Sequence, residues 1–251
     1  MRKILLISMI CTTSFLFGCS DKAEEMDNLA KAQKCLNEVP QSDPGSASGC
    51  LQYVEKYTSQ QASILKCSIL LTSGGLMEDK VVQAAKALED SSAVSNKEAA
   101  FMSILSLDVP SITAGYAKAV QGNEFCQASG VPGLTYIGGL VVAGSYMRLT
   151  MFTLGITLNI NNPEAAVTAL VDQCTTTPAA CAANIETLGA TVVTLAQSYC
   201  NTGSASTGIC GDVNAAVAAS GGDTADVGRA LFCYMETPSR TYNTVTNTCN
   251  P

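Results

Sequence analysis

The chain has 251 residues, with 21 acidic and 14 basic side chains, a net charge of −7 and no histidine. The acidic balance argues against nucleic acid as a partner, because phosphate binding needs clustered Lys and Arg. Without histidine there is no Ser-His-Asp or Cys-His nucleophile, no histidine general base and no histidine metal ligand.

The N-terminus has the organisation of an export signal. Arg2 and Lys3 precede an apolar run over residues 4–17, which is too short to span a bilayer. The run ends in Leu16-Phe17-Gly18-Cys19, which resembles the lipobox of bacterial lipoproteins. The resemblance implies cleavage after residue 18, acylation of Cys19 with palmitate-type chains and, because Ser20 follows, sorting to the outer membrane. The alternative is an ordinary secretory signal with an incidental cysteine.

Cleavage there would define the organisation of the mature chain. Loss of residues 1–18 removes two basic residues and leaves 12 against 21 acidic ones, a net charge of −9. Residues 19–26 would form a short tether, and residues 27–251 a cysteine-rich helical domain. Any subdivision of that domain would fall near residues 110–132.

Ten cysteines remain once the cysteine in the signal and Cys19 are set aside. They are Cys35, Cys50, Cys67, Cys126, Cys174, Cys181, Cys200, Cys210, Cys233 and Cys249. An even number in an exported chain indicates disulfides, and no Cys-x-x-Cys pair suggests a metal site. Cys174 and Cys181 flank a short loop between predicted helices, and so do Cys200 and Cys210. These two pairs are therefore predicted as local bridges, while the other pairings stay open.

The first half of the domain, up to about residue 108, reads as short amphipathic helices. One apolar stripe at helical spacing consists of Leu29, Ala32, Leu36 and Val39. Another consists of Val81, Val82, Ala85 and Leu88. Around Asp43-Pro44 the stretch 30–47 resembles a junction between tetratricopeptide-like repeats, but no second copy follows, so we predict only a helix-turn-helix.

Residues 131–160 are almost uncharged and rich in Gly, Leu, Val, Met and Thr. The stretch is long enough to span a membrane, but Arg148 lies near its middle, and an arginine in lipid is costly. We therefore predict a buried core helix or helix pair, with Arg148 reaching a carboxylate or carbonyl at its edge.

The C-terminal third carries helix start signals. Asn162-Pro163-Glu164 reads as an N-cap, a first-turn proline and an acidic first turn, and Thr177-Pro178 starts another helix. Asp223 is predicted to cap a last helix. Residues 237–251 read as a polar tail pinned by Cys249.

Ser63 and Lys66 match the Ser-x-x-Lys spacing of penicillin-binding enzymes, in which a helical turn puts an amine beside a nucleophilic hydroxyl. Such a short match occurs often by chance. The chain has no Lys-Thr-Gly and no convincing sheet, so both side chains are predicted to be solvated on an ordinary helix.

Paired carboxylates could support catalysis without histidine. The candidates are Glu24, Glu25, Asp79, Glu89 and Asp90. All lie in charged surroundings at predicted helix ends, which favours capping and surface roles. Asp223 with Asp226 lacks a calcium-binding loop, and the glycines from Gly138 to Gly144 do not have phosphate-loop spacing.

Together these patterns predict an all-α fold, either a compact disulfide-stapled helical bundle or a short helical-hairpin array. We expect a non-catalytic, lipid-anchored envelope protein, without metal or cofactor, that offers a helical surface to a protein or ligand. One alternative is a lipid-anchored enzyme that uses Ser63 and Lys66 or a carboxylate pair. Another is a membrane-inserting element of an envelope complex, formed by residues 131–160.

Overall fold

The fold is all-α in the part of the chain that the structure, a computed structural model, describes. The described residues are 22–89, 97–159, 162–177, 181, 186–187, 189–191, 193, 217–218, 220–221, 223–236, 241–243 and 248–250. The helices are α1 (residues 22–37), a 3-10 helix (Pro44–Tyr53), α2 (Gln60–Ser73), α3 (Glu78–Glu89), α4 (Lys97–Ile104), α5 (Ile112–Ala128), α6 (Pro132–Thr153), α7 (Pro163–Thr176) and a C-terminal helix (Thr224–Glu236). Disulfides staple this helical body, as predicted.

The first helix and the 3-10 helix form the predicted helix-turn-helix. The helical conformation already includes residue 22, so most of the tether predicted over residues 19–26 is helical. The Cys35–Cys50 disulfide joins the two arms at a Cα–Cα distance of 5.7 Å. The stripe from Leu29 to Val39 packs into a small apolar cluster with Val54 and residues of α2.

Helix α2 lies between two apolar clusters. The Ser59 hydroxyl caps its start by accepting a hydrogen bond from the Ala62 amide at 3.2 Å. Ile69 contributes to the small cluster, whereas Leu71 contributes to the large one. The helix therefore has no continuous polar face, as expected for a helix covered on most sides.

Helix α6 confirms the burial predicted for residues 131–160 in the middle of that range and not at its ends. It begins with Pro132 in its first turn, and every residue from Gly138 to Met147 is buried, whereas Ile137 and Phe152 are exposed. Its closest approach is at Gly144, where a Cβ atom would collide with the Met102 carbonyl oxygen of α4. Among the described helices none is long and apolar enough to cross a membrane.

Helix α3 packs through a different face from the predicted one. Val81 and Val82 are 48% and 45% exposed, whereas Ala84 is fully buried. Lys80, one helical turn before Ala84, reaches the Asp108 carboxylate at 3.0 Å. The face of α3 that carries Lys80 and Ala84 therefore points inward, and Val81 and Val82 lie on the surface.

The C-terminal predictions have mixed outcomes. Pro163 starts α7, but Asn162 makes no side-chain cap. Asp223 does cap the C-terminal helix, because its Oδ1 atom accepts hydrogen bonds from the Ala225 and Asp226 amides at 2.9 and 3.1 Å. The predicted polar tail contains an antiparallel pair, Thr241–Asn243 with Thr248–Asn250, since Thr and Tyr favour strands.

Candidate functional site

A pocket of about 410 Å³ opens between the 3-10 helix, α2 and α5. The 3-10 helix lines it with Ser48, Gly49, Leu51 and Gln52, and Glu55 follows just after that helix. Lys66 of α2 and the pair Gln121 and Phe125 of α5 complete the wall. We call this cavity the Lys66 pocket; its volume lies within the range of small-molecule sites.

Lys66 is buried in the wall of this pocket. The prediction that Ser63 and Lys66 are solvated is wrong, because their exposed fractions are 5% and 7%. The Lys66 ammonium donates hydrogen bonds to the carbonyl oxygens of Glu55 and Tyr57, at 2.9 and 2.6 Å. The chain that leaves the 3-10 helix turns both carbonyls toward α2, and this turn draws the lysine inward.

The Lys66 ammonium has no carboxylate partner among the described residues. It lies 5.1 Å from the centre of the Phe125 ring, a cation–π contact. An ammonium has three hydrogens, and the two carbonyls accept two of them. Buried lysines are normally paired with a carboxylate. An ammonium beside a cavity without such a partner is therefore a candidate binding group.

Two disulfides hold the walls of the Lys66 pocket. Cys50 lies between the lining residues Gly49 and Leu51 and is bonded to Cys35. Cys67 and Cys126 directly follow Lys66 and Phe125, and their disulfide joins α2 to α5 at a Cα–Cα distance of 4.9 Å. Each helical wall is thus cross-linked next to a lining residue, which preorganises the cavity.

A second charged cluster lies where α3, α6 and the segment after α4 meet. Asp108 accepts ion pairs from Lys80 and Arg148, at 3.0 and 2.9 Å. Lys80 also donates to the Ser106 carbonyl oxygen at 2.8 Å. Burial lowers the pKa of Lys80, although Asp108 opposes the shift. The cluster also confirms that Arg148 reaches a carboxylate, and its partners make it a structural connection rather than an open site.

A smaller cavity, of about 250 Å³, lies between α5, α6 and the residues Thr187, Ala190 and Thr191. Its polar lining includes Asn123, Gln127 and Thr135, and none of its lining residues is charged. Tyr116 also lines it, with a pKa raised by burial and by Tyr146. Because its lining offers no charged group to a ligand, we do not take this cavity as the main site.

The structure describes some of the predicted site residues. Cys174 and Cys181 form the predicted local bridge, with a Cα–Cα distance of 5.4 Å. Cys19, Cys200 and Cys210 lie outside the described residues. Cys233 falls in the C-terminal helix and Cys249 in the second strand, and their partners stay open.

The described candidate carboxylates lie at separate places on α1 and α3. Glu24 bonds the Lys56 ammonium at 2.6 Å, and this exposed hydrogen bond lowers the pKa of Glu24. Asp79 lies in the first turn of α3, whereas Glu89 ends the same helix. Asp90 lies outside the described residues, and Glu25 is half-buried on α1. Within the described ranges, no group of three or more His, Cys, Asp or Glu side chains could hold a metal ion.

Comparison of the chain with protein-family models, curated proteins and solved structures gives no match in any of the three. The chemistry of the Lys66 pocket is therefore the basis of the functional argument.

Proposed function

We propose that the chain is a non-catalytic, lipid-anchored envelope protein whose helical body binds a ligand or protein at the Lys66 pocket. The lipobox-like sequence at Cys19 supports attachment to the membrane through lipid, and Ser20 supports the outer membrane. The ten further cysteines fit an oxidising compartment, and three disulfides among them lie in the described residues.

The observation that carries the binding proposal is the unpaired Lys66 ammonium in a cross-linked pocket. Removing a charge from water costs free energy that a partner of opposite charge offsets. The Lys66 ammonium already donates to the Glu55 and Tyr57 carbonyl oxygens, but neither carbonyl carries a negative charge. An anionic group of a bound partner would offset the charge of the lysine.

The two alternatives have less support from the contacts. A Ser-x-x-Lys enzyme needs a neutral lysine amine beside the serine hydroxyl, but the Lys66 amine donates to the Glu55 and Tyr57 carbonyls. A membrane-inserting element would turn Arg148 toward lipid, whereas Arg148 pairs with Asp108. Labelling by a β-lactam or fluorophosphonate probe at Ser63 would revive the enzyme alternative.

Site-specific photocrosslinking tests the binding proposal in the native envelope. A benzophenone amino acid replaces Gln52 at the pocket or, as a matched control, the exposed Gln33 on α1. We expect adducts of defined mass from position 52 that position 33 does not give. Identical adduct patterns at both positions, or none at position 52, would contradict binding at this pocket.

Mass spectrometry of the N-terminal peptide tests the anchor separately. We expect cleavage before Cys19 and acyl chains on that residue. An unmodified N-terminus at another residue would refute lipid attachment and leave the pocket argument untouched.

A further inference from the structure

We propose that the Lys66 pocket binds a small zwitterion, an α-amino acid or a short peptide, with its carboxylate against Lys66 and its amine toward Glu55. The inference rests on the proposed function, because it names the ligand class of the same pocket.

The carboxylate end is assigned from Lys66. Its side chain is more than nine-tenths buried and lines the cavity. The Glu55 and Tyr57 carbonyls accept hydrogen bonds from the ammonium, and the centre of the Phe125 ring lies 5.1 Å from it. One hydrogen of the ammonium is left for an acceptor in the cavity, and an anionic acceptor gains the most from a desolvated cation.

The amine end is assigned from Glu55. Glu55 lines the same cavity, is exposed, and has no ion-pair partner among the described residues. Its neighbour Lys56 pairs with Glu24 instead, at 2.6 Å. Glu55 meets Lys66 through its backbone carbonyl, and the two side-chain charges do not form an ion pair with each other. One cavity thus presents an unpaired cation and an unpaired anion, which matches a ligand with separated opposite charges.

The remaining lining suits an amino acid or short peptide. Gln52 and Gln121 supply amides, which can donate to and accept from a peptide group. Leu51 and Phe125 supply an apolar wall for a side chain. Because disulfides cross-link the three helical walls, the cavity needs little reorganisation on binding.

Binding of leucine to residues 20–251, oxidised and exported without lipid, tests the ligand class. The probes are leucine, glycylleucine, leucinamide, which lacks the carboxylate, and 4-methylpentanoate, which lacks the amine. We expect leucine or glycylleucine to bind in calorimetry and to raise the Tm, and both analogues to bind about tenfold or more weakly. Equal binding of leucine and leucinamide, or no binding by any probe, would overturn the proposal.

Two variants connect binding to the pocket. Lys66→Met should weaken leucine binding about thirtyfold or more, because the carboxylate loses its cation. Since that variant also removes donors from two backbone carbonyls, Glu55→Gln provides an independent test on an exposed residue. It should weaken leucine about tenfold and leave 4-methylpentanoate unchanged, while the matched control Glu124→Gln, on an exposed carboxylate of α5 outside the pocket, changes neither. Unchanged leucine affinity in Glu55→Gln would overturn the amine assignment.

The outcomes separate the two proposals. If no probe binds but position 52 still gives specific adducts in the envelope, the zwitterion proposal fails and the binding proposal stands. If position 52 gives no specific adduct, the binding proposal fails as well.

Discussion

Among the described residues, Asp108 is the one carboxylate that pairs with both Lys80 and Arg148. Asp108→Asn would leave the two cations close together and partly desolvated, and we expect it to lower the free energy of unfolding by about 2–3 kcal/mol. Asp27→Asn is the matched control, because the Asp27–Lys31 pair is more than half exposed and should contribute less than about 1 kcal/mol. Guanidinium titration of both variants measures the difference; equal effects would contradict a special role for Asp108.

Lys80 gives a prediction about pH. Burial lowers its pKa below the ordinary value of 10.5, so the unfolded chain binds the proton more tightly than the folded chain. In the interval between the two pKa values the unfolded state holds more protons, and the Lys80 contribution to stability rises with pH. We therefore expect the free energy of unfolding of the wild type, relative to Lys80→Met, to rise as the pH increases toward the ordinary lysine value of 10.5. A difference that is constant or falls over this range would contradict the inferred burial.

At the level of single residues, the burial of Lys66 could not be predicted from the sequence. The spacing of Ser63 and Lys66 is visible in the sequence, but it occurs too often to distinguish a site from a surface helix. The lysine is buried because the Glu55 and Tyr57 carbonyls turn toward α2, and that turn depends on tertiary structure. One signal was available: Lys66 stands within a largely apolar run, Ile64 to Leu71, which leaves little polar face on the helix.

At the level of elements, helix α6 offers a matched pair of glycine substitutions. A Cβ atom at Gly144 would collide with the Met102 carbonyl oxygen, whereas one at Gly133 would meet nothing within 4 Å. We expect Gly144→Ala to lower the free energy of unfolding by about 1–3 kcal/mol, because backbone atoms must move. Gly133→Ala should raise it by about 0.5–1 kcal/mol through helix propensity. Thermal unfolding of both variants tests this, and a stabilising Gly144→Ala would show that α4 and α6 are farther apart than described.

The helices differ in how well their patterns predict them. The burial of α6 is predictable, because a charge-poor run with one arginine has few other stable environments. The inward face of α3 is not, because Val81 and Val82 form as good a stripe as the face that carries Lys80 and Ala84. The inward face is the one that carries Lys80 and Ala84, because Lys80 pairs with Asp108. Apolar periodicity alone does not show this ion pair.

At the level of the molecule, the disulfides should contribute unequally. Cys67–Cys126 closes a separation of 59 residues, whereas Cys174–Cys181 closes one of 7 residues. In the chain-entropy description, removal of the long bridge costs about 4 kcal/mol and removal of the short one about 2 kcal/mol. We expect the Cys67→Ala/Cys126→Ala double variant to have the lower unfolding midpoint in urea. If the variant without Cys174–Cys181 has the lower midpoint instead, local contacts rather than loop closure determine the contribution of each bridge.

In the proposed arrangement, a lipid at Cys19 anchors a helical body in which the middle of the apolar helix α6 is buried. In that arrangement the lipid alone holds the protein at the membrane, and the Lys66 pocket stays accessible to a ligand in the aqueous phase. The charge of the body supports this arrangement, since an acidic surface is not attracted to anionic lipid headgroups.

Membrane partitioning of the unlipidated protein tests this account most directly. Residues 20–251, exported behind an ordinary secretory signal so that the disulfides form, are fractionated beside the lipidated wild type. We expect the unlipidated protein in the aqueous fraction without detergent and the wild type in the membrane fraction. If the unlipidated protein still sediments with membranes, the helical body itself holds the membrane, and the lipid-anchor account is contradicted.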